Sequence, residues 1–166
     1  MKGEGVVLEH LQKALTMEFT AAHQYMLHSH VLKDWGLEGL AEKMTEEMQE
    51  EQGHASMLME RLLFLEGDPD MTSMNKVNRA QTLRDMFEAD LRDEHEARRF
   101  YTQAAQACQE AGDLVSRDLF TNLVHDEEGH IEWLETQLGL LDRLGEQGYA
   151  QLQIRKSAAE EDEDDD

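Results

Sequence analysis

The sequence predicts an all-α domain: four long helices forming a bundle, with one long crossover between the second and third and a short fifth helix at the C-terminus. Three observations carry this. Proline occurs once in 166 residues, and β-branched residues are scarce beside Leu, Ala, Met, Glu and Gln, which are strong helix formers. Apolar residues recur at helical spacing in four stretches of about 28 residues, each roughly 42 Å long at 1.5 Å per residue. The chain also carries an internal repeat. Shifted by 76 positions, Leu15 falls on Leu91, Ala21 on Ala97, Tyr25 on Tyr101 and Gly36 on Gly112, and Leu58, Leu62 and Leu65 fall on Leu134, Leu138 and Leu141.

The first helix is expected from Val6 to Asp34, stopped by Gly36, which suits a left-handed C-terminal cap. The second runs from Glu38 to Leu65 and stops at Gly67, with Pro69 just beyond. Residues 67–81 have little periodicity and are too many for a tight turn, so they serve as a connection along the length of the bundle. Thr82 followed by Asp85 reads as a capping box opening the third helix, which ends at Ala111 before Gly112. Asp113 caps a fourth helix that reaches Leu144, and Glu146 to Arg155 forms the short fifth. One domain is expected over 1–156, followed by a disordered acidic tail over 157–166, whose last seven residues, Glu160 to Asp166, are all acidic.

A net charge of −22 excludes nucleic acid and anionic membrane surfaces as partners. There is no basic n-region leading into an apolar stretch at the N-terminus and no run of membrane-spanning length, so the chain reads as cytoplasmic, with no membrane partner. The single cysteine, Cys108, permits no intramolecular disulfide and reads as a packed thiol.

The same 76-residue shift superposes the chemistry. Glu18 falls on Glu94, Glu51 on Glu127 and His54 on His130, so each half offers one Glu and then, 33 residues later, a Glu-x-x-His with Gly before the His. A random chain of this composition would contain about one Glu-x-x-His; here the two that occur are in register. One Glu from each of two helices plus Glu-x-x-His from each of the other two is the ligand shell of a carboxylate-bridged di-iron or di-manganese site in a bundle. Residues 51, 54, 58, 62 and 65 share one helix face, which brings these groups onto the core stripe. Four buried carboxylates would repel one another, and two divalent cations cancel their charge. Oxygen-rich ligation with one imidazole per metal favours iron or manganese. Glu51 and Glu127 are expected to bridge, with Glu18 and His54 on one metal and Glu94 and His130 on the other. Such an iron pair undergoes two one-electron changes in one encounter with O2 or H2O2.

Beyond these residues the chain resembles the bacterioferritins, a ferritin-like family, over nearly its whole length. Gln24-Tyr25 with His28, the run Arg61 to Gly67, and Ser116-Arg117-Asp118 leading into Asp126 to Glu135 carry the resemblance. It implies a homo-oligomeric shell of roughly two dozen four-helix subunits, with a ferroxidase centre that converts Fe(II) to Fe(III) and ferric mineral stored inside. It also implies that Tyr25, on the face of Glu18, supplies an electron to the centre. An inner-surface iron site would fall on Glu46 and Glu50, where related proteins use a His and an Asp. The family binds haem b between two subunits through a Met immediately after the first bridging Glu; here that position is Gln52, a poor axial ligand. No haem is therefore expected in a shell of this chain alone. Ala22, on the haem-pocket side, is smaller than the residue expected there, and Met26, Met44, Met48 and Met57 read as packing residues. Tyr101 and Trp133 are read as core, and His23 and His30, which lack paired carboxylates, as satisfied or exposed histidines rather than ligands. Two alternatives stand beside iron storage: a non-storing di-metal oxidase, peroxidase or catalase, and a subunit of a mixed shell whose haem comes from another chain.

Overall fold

The computed structural model describes the backbone of residues 1–164 and side chains through Ile154. Four helices account for most of it: α1 (Gly5–Asp34), α2 (Glu38–Phe64), α3 (Leu83–Glu110) and α4 (Leu114–Asp164). Helices α1 and α2 pack as one hairpin and α3 and α4 as another, with α1 facing α3 and α2 facing α4. No strand occurs among the described residues. The bounds of α1, α2 and α3 and the start of α4 lie within a residue or two of those expected.

The stops follow from local chemistry. Gly36 and Gly112 adopt φ of 76° and 77°. In each case the next amide bonds a carbonyl five residues back, Leu37 N to Leu32 O and Asp113 N to Cys108 O, both 2.9 Å, which closes the helix end. At the end of α2 the left-handed residue is Glu66 (φ 60°), not Gly67. Gly67 instead supplies space: a Cβ there would lie 3.1 Å from both the Leu62 carbonyl oxygen and Leu8 Cδ2. Thr82 caps α3 by accepting from the Asp85 amide at 3.0 Å. Asp113 accepts from the Ser116 amide at 3.0 Å and from Arg61 of α2 at 2.7 Å, so the cap of α4 also ties the two hairpins together.

The crossover lies along α1. Gln12 and Gln24 each bond it twice, pairing with the backbone N–H and C=O of Asp70 (2.8 and 3.1 Å) and of Asn78 (2.9 Å both). Each amide side chain thus substitutes for a neighbouring strand and satisfies backbone groups that the irregular segment cannot pair internally.

Gly145 (φ 67°, ψ 165°) breaks α4, and helix resumes beyond it. The expected fifth helix is present, but helical backbone runs on to Asp164 instead of ending near Arg155. Extending an existing helix requires no new nucleus, which lets it enter sequence of unfavourable charge. The expected tail over 157–166 lies outside the residues whose side chains are described, and 165 and 166 lie outside the described residues altogether.

The apolar core is divided in two. One cluster gathers Leu11, Leu15, Leu58, Leu62, Tyr101, Cys108 and Phe120; the other gathers Tyr25, Leu32, Met44, Met86, Phe87, Leu134 and Tyr149. A buried polar layer lies between them.

Candidate metal centre

That layer is built from one helical turn of each helix. Glu18 of α1 and Glu94 of α3 project inward from single positions, while Glu51 with His54 on α2 and Glu127 with His130 on α4 use i, i+3 spacing to place both groups on one face. Glu18, Glu51 and Glu127 are each only 1% exposed, so these carboxyl groups are fully withdrawn from water. All six residues expected to act together are brought together.

They form two groups of four, Glu18–Glu51–His54–Glu127 and Glu51–Glu94–Glu127–His130, in each of which the donor atoms lie within 4.8 Å of one another. Glu51 and Glu127 belong to both. His54 Nδ1 lies 2.8 Å from Glu51 and 3.6 Å from Glu18; His130 Nδ1 lies 3.3 Å from Glu127 and 3.5 Å from Glu51. Glu51 Oε1, Glu127 Oε2 and His130 Nδ1 are buried without a hydrogen-bond partner. Orphaned carboxylate oxygens and an imidazole nitrogen converging at these distances fit a pair of divalent cations.

The protonation chemistry agrees. Burial, reinforced by Glu18 and Glu94, pushes Glu51 well above the usual carboxylate range, and burial with the adjacent Glu94 does the same to Glu127. Burial also raises Glu94, but contacts with Glu127, His130 and Tyr25 outweigh it and leave Glu94 low. Glu94 and Glu127 therefore titrate together, Glu127 above and Glu94 below the ordinary carboxylate range. Burial opposes charge on both imidazoles, yet the surrounding carboxylates dominate and raise His54 and His130. In the absence of metal, the layer limits its own negative charge by binding protons.

Two tyrosines bracket the layer. Tyr25 donates its hydroxyl hydrogen to Glu94, and Tyr101 donates to Glu18. Tyr101, read from sequence as core, is indeed buried, but its hydroxyl is part of the site; the 76-residue pairing with Tyr25 was the available signal. The outer imidazole nitrogens also face acids. His130 Nε2 lies 2.9 Å from Glu47, which is paired with Lys43, and His54 Nε2 lies 3.4 Å from Asp126. Sequence reading missed Glu47 and Asp126, although Glu47 precedes Glu51 by one turn and Asp126 is the 76-shift partner of Glu50.

Glu46 is 70% exposed at its side chain, 3.9 Å from Lys43. Glu50 groups with Glu47 and His130, and separately with His54 and Asp126. Gln52, His23 and His30 are exposed, while Ala22 is buried. Deeper in the core, His28 contacts Asp90 at 3.1 Å and Gln24 at 2.8 Å. Burial raises the Asp90 carboxyl to about 6, against the opposing pull of His28.

The layer opens on two sides. A cleft of about 830 Å³ between α1 and α3, beside the crossover, reaches Glu18, Glu94, Glu127 and Tyr101. A smaller opening of about 380 Å³ between α2 and α4 is lined by Lys43, Glu47, Glu50, Asp126 and His130. No helix is long and apolar enough to cross a membrane among the described residues.

The comparisons agree with this geometry. Residues 8–144 match the model of the ferritin-like domain. Bacterioferritins of Rhodobacter capsulatus and Brucella melitensis are each 45% identical over 152 residues, covering 92% of this chain and 94% of theirs. The solved bacterioferritin structure from R. capsulatus, which has a metal-free dinuclear site and a haem iron, superposes with a TM-score of 0.90 over 92% of this chain and 96% of that one. Fold, length and sequence all place the chain in one lineage: it belongs to the ferritin-like proteins and, among them, to the bacterioferritins.

Proposed function

We propose that this chain is the subunit of an iron-storage shell and carries a ferroxidase centre, with Fe(II) as substrate and O2 or H2O2 as oxidant. The observation that supports this most directly is the pair of four-residue groups sharing Glu51 and Glu127. Glu51 and Glu127 would bridge two irons, with Glu18 and His54 terminal on one and Glu94 and His130 terminal on the other. Four carboxylates then balance two divalent charges, and the protons held by Glu51 and Glu127 leave as metal binds. An iron pair supplies two one-electron changes at one place. The chain's contribution is to hold the acids close together away from bulk water, and the hydrogen bond from Tyr25 to Glu94 supports a role in which Tyr25 would give one electron to the oxidant at the iron pair while its proton passes to that carboxylate.

The exposed Leu63, Phe64, Leu114, Val115 and Ile154 suit burial between subunits, in keeping with a cytoplasmic homo-oligomer of roughly two dozen chains. Glu50 at the α2–α4 opening, with Glu46 nearby on the same helix, would take iron on the inner surface. A homo-oligomer would hold no haem of its own, because Gln52 stands at the ligand position. Gln52 also supports a second reading, a mixed shell whose haem comes from another chain.

The test is stopped-flow Fe(II) oxidation followed by iron loading. Wild type should show a fast phase saturating at two Fe(II) per chain and then accumulate a soluble core of many irons per subunit. Glu51→Ala and Glu127→Ala should each lose the fast phase, since each removes a donor shared by both groups. Wild-type initial rates in both variants would refute the centre; a fast phase without core formation would favour the non-storing oxidase.

A further inference from the structure

Tyr101 is fixed before its hydroxyl is considered. Its ring sits edge-on to Phe100 at 5.8 Å and beside Phe120 at 6.0 Å, within the apolar cluster on one side of the polar layer. A ring so enclosed places its O–H at one point, and that point is Glu18 Oε1. The other oxygen, Glu18 Oε2, is left facing His54 Nδ1 at 3.6 Å. A glutamate has three side-chain torsions, so a carboxylate without such an anchor would sample several orientations at an entropic cost to any ligand that must fix it.

Tyr25 does the same for Glu94 from the opposite apolar cluster. The hydrogen bonds cross between halves: α1's tyrosine holds α3's carboxylate, and α3's tyrosine holds α1's. Glu18 and Glu94 are the two carboxylates that belong to only one group of four, whereas Glu51 and Glu127 belong to both. Each phenol therefore anchors a group specific to one metal position.

We infer that Tyr101 is a positioning residue for the metal held by Glu18 and His54, and that each tyrosine governs the occupancy of one metal position only. The inference rests on the two-metal reading given above. Because Tyr101 and Glu18 both line the larger cleft, the oriented carboxylate stands ready where a cation arriving through it meets the site.

The test uses Co(II), which binds without the oxidation step, on metal-free shells of the full chain. Its absorption bands give stoichiometry and affinity, and anomalous scattering from crystals at substoichiometric Co(II) identifies which position is filled. Wild type should bind two Co(II) per chain. Tyr101→Phe, which removes only the hydroxyl, should weaken the Glu18/His54 position about 10- to 100-fold and leave the Glu94/His130 position within about twofold. Tyr25→Phe should show the mirror image. The retained position serves as an internal control for folding, and a purely structural role would lower the melting temperature without separating the two affinities. Unchanged affinities in Tyr101→Phe, or equal weakening at both positions, would overturn the inference while leaving the two-metal reading intact. Fewer than two Co(II) bound by wild type would sink that reading itself.

Discussion

Replacing Glu51 by Gln should make the metal-free protein more stable and the metal-loaded protein less so. The amide keeps the shape and an acceptor oxygen for His54 Nδ1, now 2.8 Å away, and removes one charge from a layer where four carboxylates crowd together. Two unit charges 4–5 Å apart repel by about 3–4 kcal/mol at an effective dielectric constant of 20. Glu51 meets such repulsion from Glu18 and Glu94 and is partly compensated by His130. One uncompensated repulsion, relieved in part by proton uptake, leaves a net gain of about 1–2 kcal/mol for the variant near pH 7.5. The sign with pH follows from the raised carboxyl. A group whose folded-state pKa exceeds its unfolded value stabilises fully below the unfolded value and loses that contribution as pH rises. The advantage of Glu51→Gln should therefore vanish near pH 4 and grow towards neutrality. Metal reverses the order. At a free concentration one hundred times Kd, each bound cation adds about 2.7 kcal/mol, so two add about 5 to wild type, whereas a variant lacking a shared carboxylate should gain half of that or less. Denaturant unfolding at fixed protein concentration, in chelator and in excess Co(II), reads both quantities. A metal-free variant less stable than wild type by more than about 1 kcal/mol, or an equal metal increment in both, would refute the reasoning.

Gly129→Ala should stabilise the fold by about 0.5–1 kcal/mol without altering Co(II) stoichiometry, because a Cβ at this exposed helical position meets nothing within 4 Å of the chain; chemical denaturation checks it. Asp90 is a buried carboxyl raised to about 6, so its contribution to metal-free stability should fall between about pH 4 and 6. Asp90→Asn should flatten that segment of the stability profile, and an unchanged slope would count against the raised value. Wild-type protein expressed with ample haem should show little Soret absorbance, and Gln52→Met should restore it; a strong band in wild type at near one haem per two chains would overturn the reading of Gln52.

Much of this was legible in sequence because it depends on short spacings. Helix ends were marked by Gly36, Gly112 and Thr82, and the six inner site residues by a lone Glu followed 33 residues later by an i, i+3 Glu/His pair, repeated at a fixed offset. What escaped depends on side-chain reach across the bundle. Nothing local indicates that Tyr101 on α3 meets Glu18 on α1, or that Arg61 on α2 shares Asp113 with the cap of α4. Gly67 was read as the stop of α2, yet the left-handed turn falls on Glu66, because packing against Leu62 and Leu8 reserves the glycine for the close approach. Similarly, Gly53 and Gly129 strengthened the repeat as a pattern, but neither is required by packing within the chain.

The internal repeat also shows where equivalence between the halves ends. The inner groups obey it: Glu18 and Glu94, Glu51 and Glu127, His54 and His130, and the crossed tyrosines all correspond. One step outward, Glu50 and Asp126 still correspond, each facing the outer nitrogen of the opposite half's histidine, at 3.6 and 3.4 Å. Glu47 breaks the pattern. Its counterpart under the shift is Leu123, fully buried in the apolar cluster. His130 therefore has a buried acid, itself paired with Lys43, 2.9 Å from Nε2, while the acids grouped with His54 on its outer side are the partly exposed Asp126, at 3.4 Å, and the exposed Glu50. A second carboxylate on the imidazole holds the ring and raises its basicity. The two four-residue groups thus share the same inner chemistry but differ in what stands behind one histidine, and that difference lies at the opening between α2 and α4. The 76-residue correspondence accounts for the pairing of the two four-residue groups; a glutamate at 47 opposite a core leucine at 123 is where one side departs from the other.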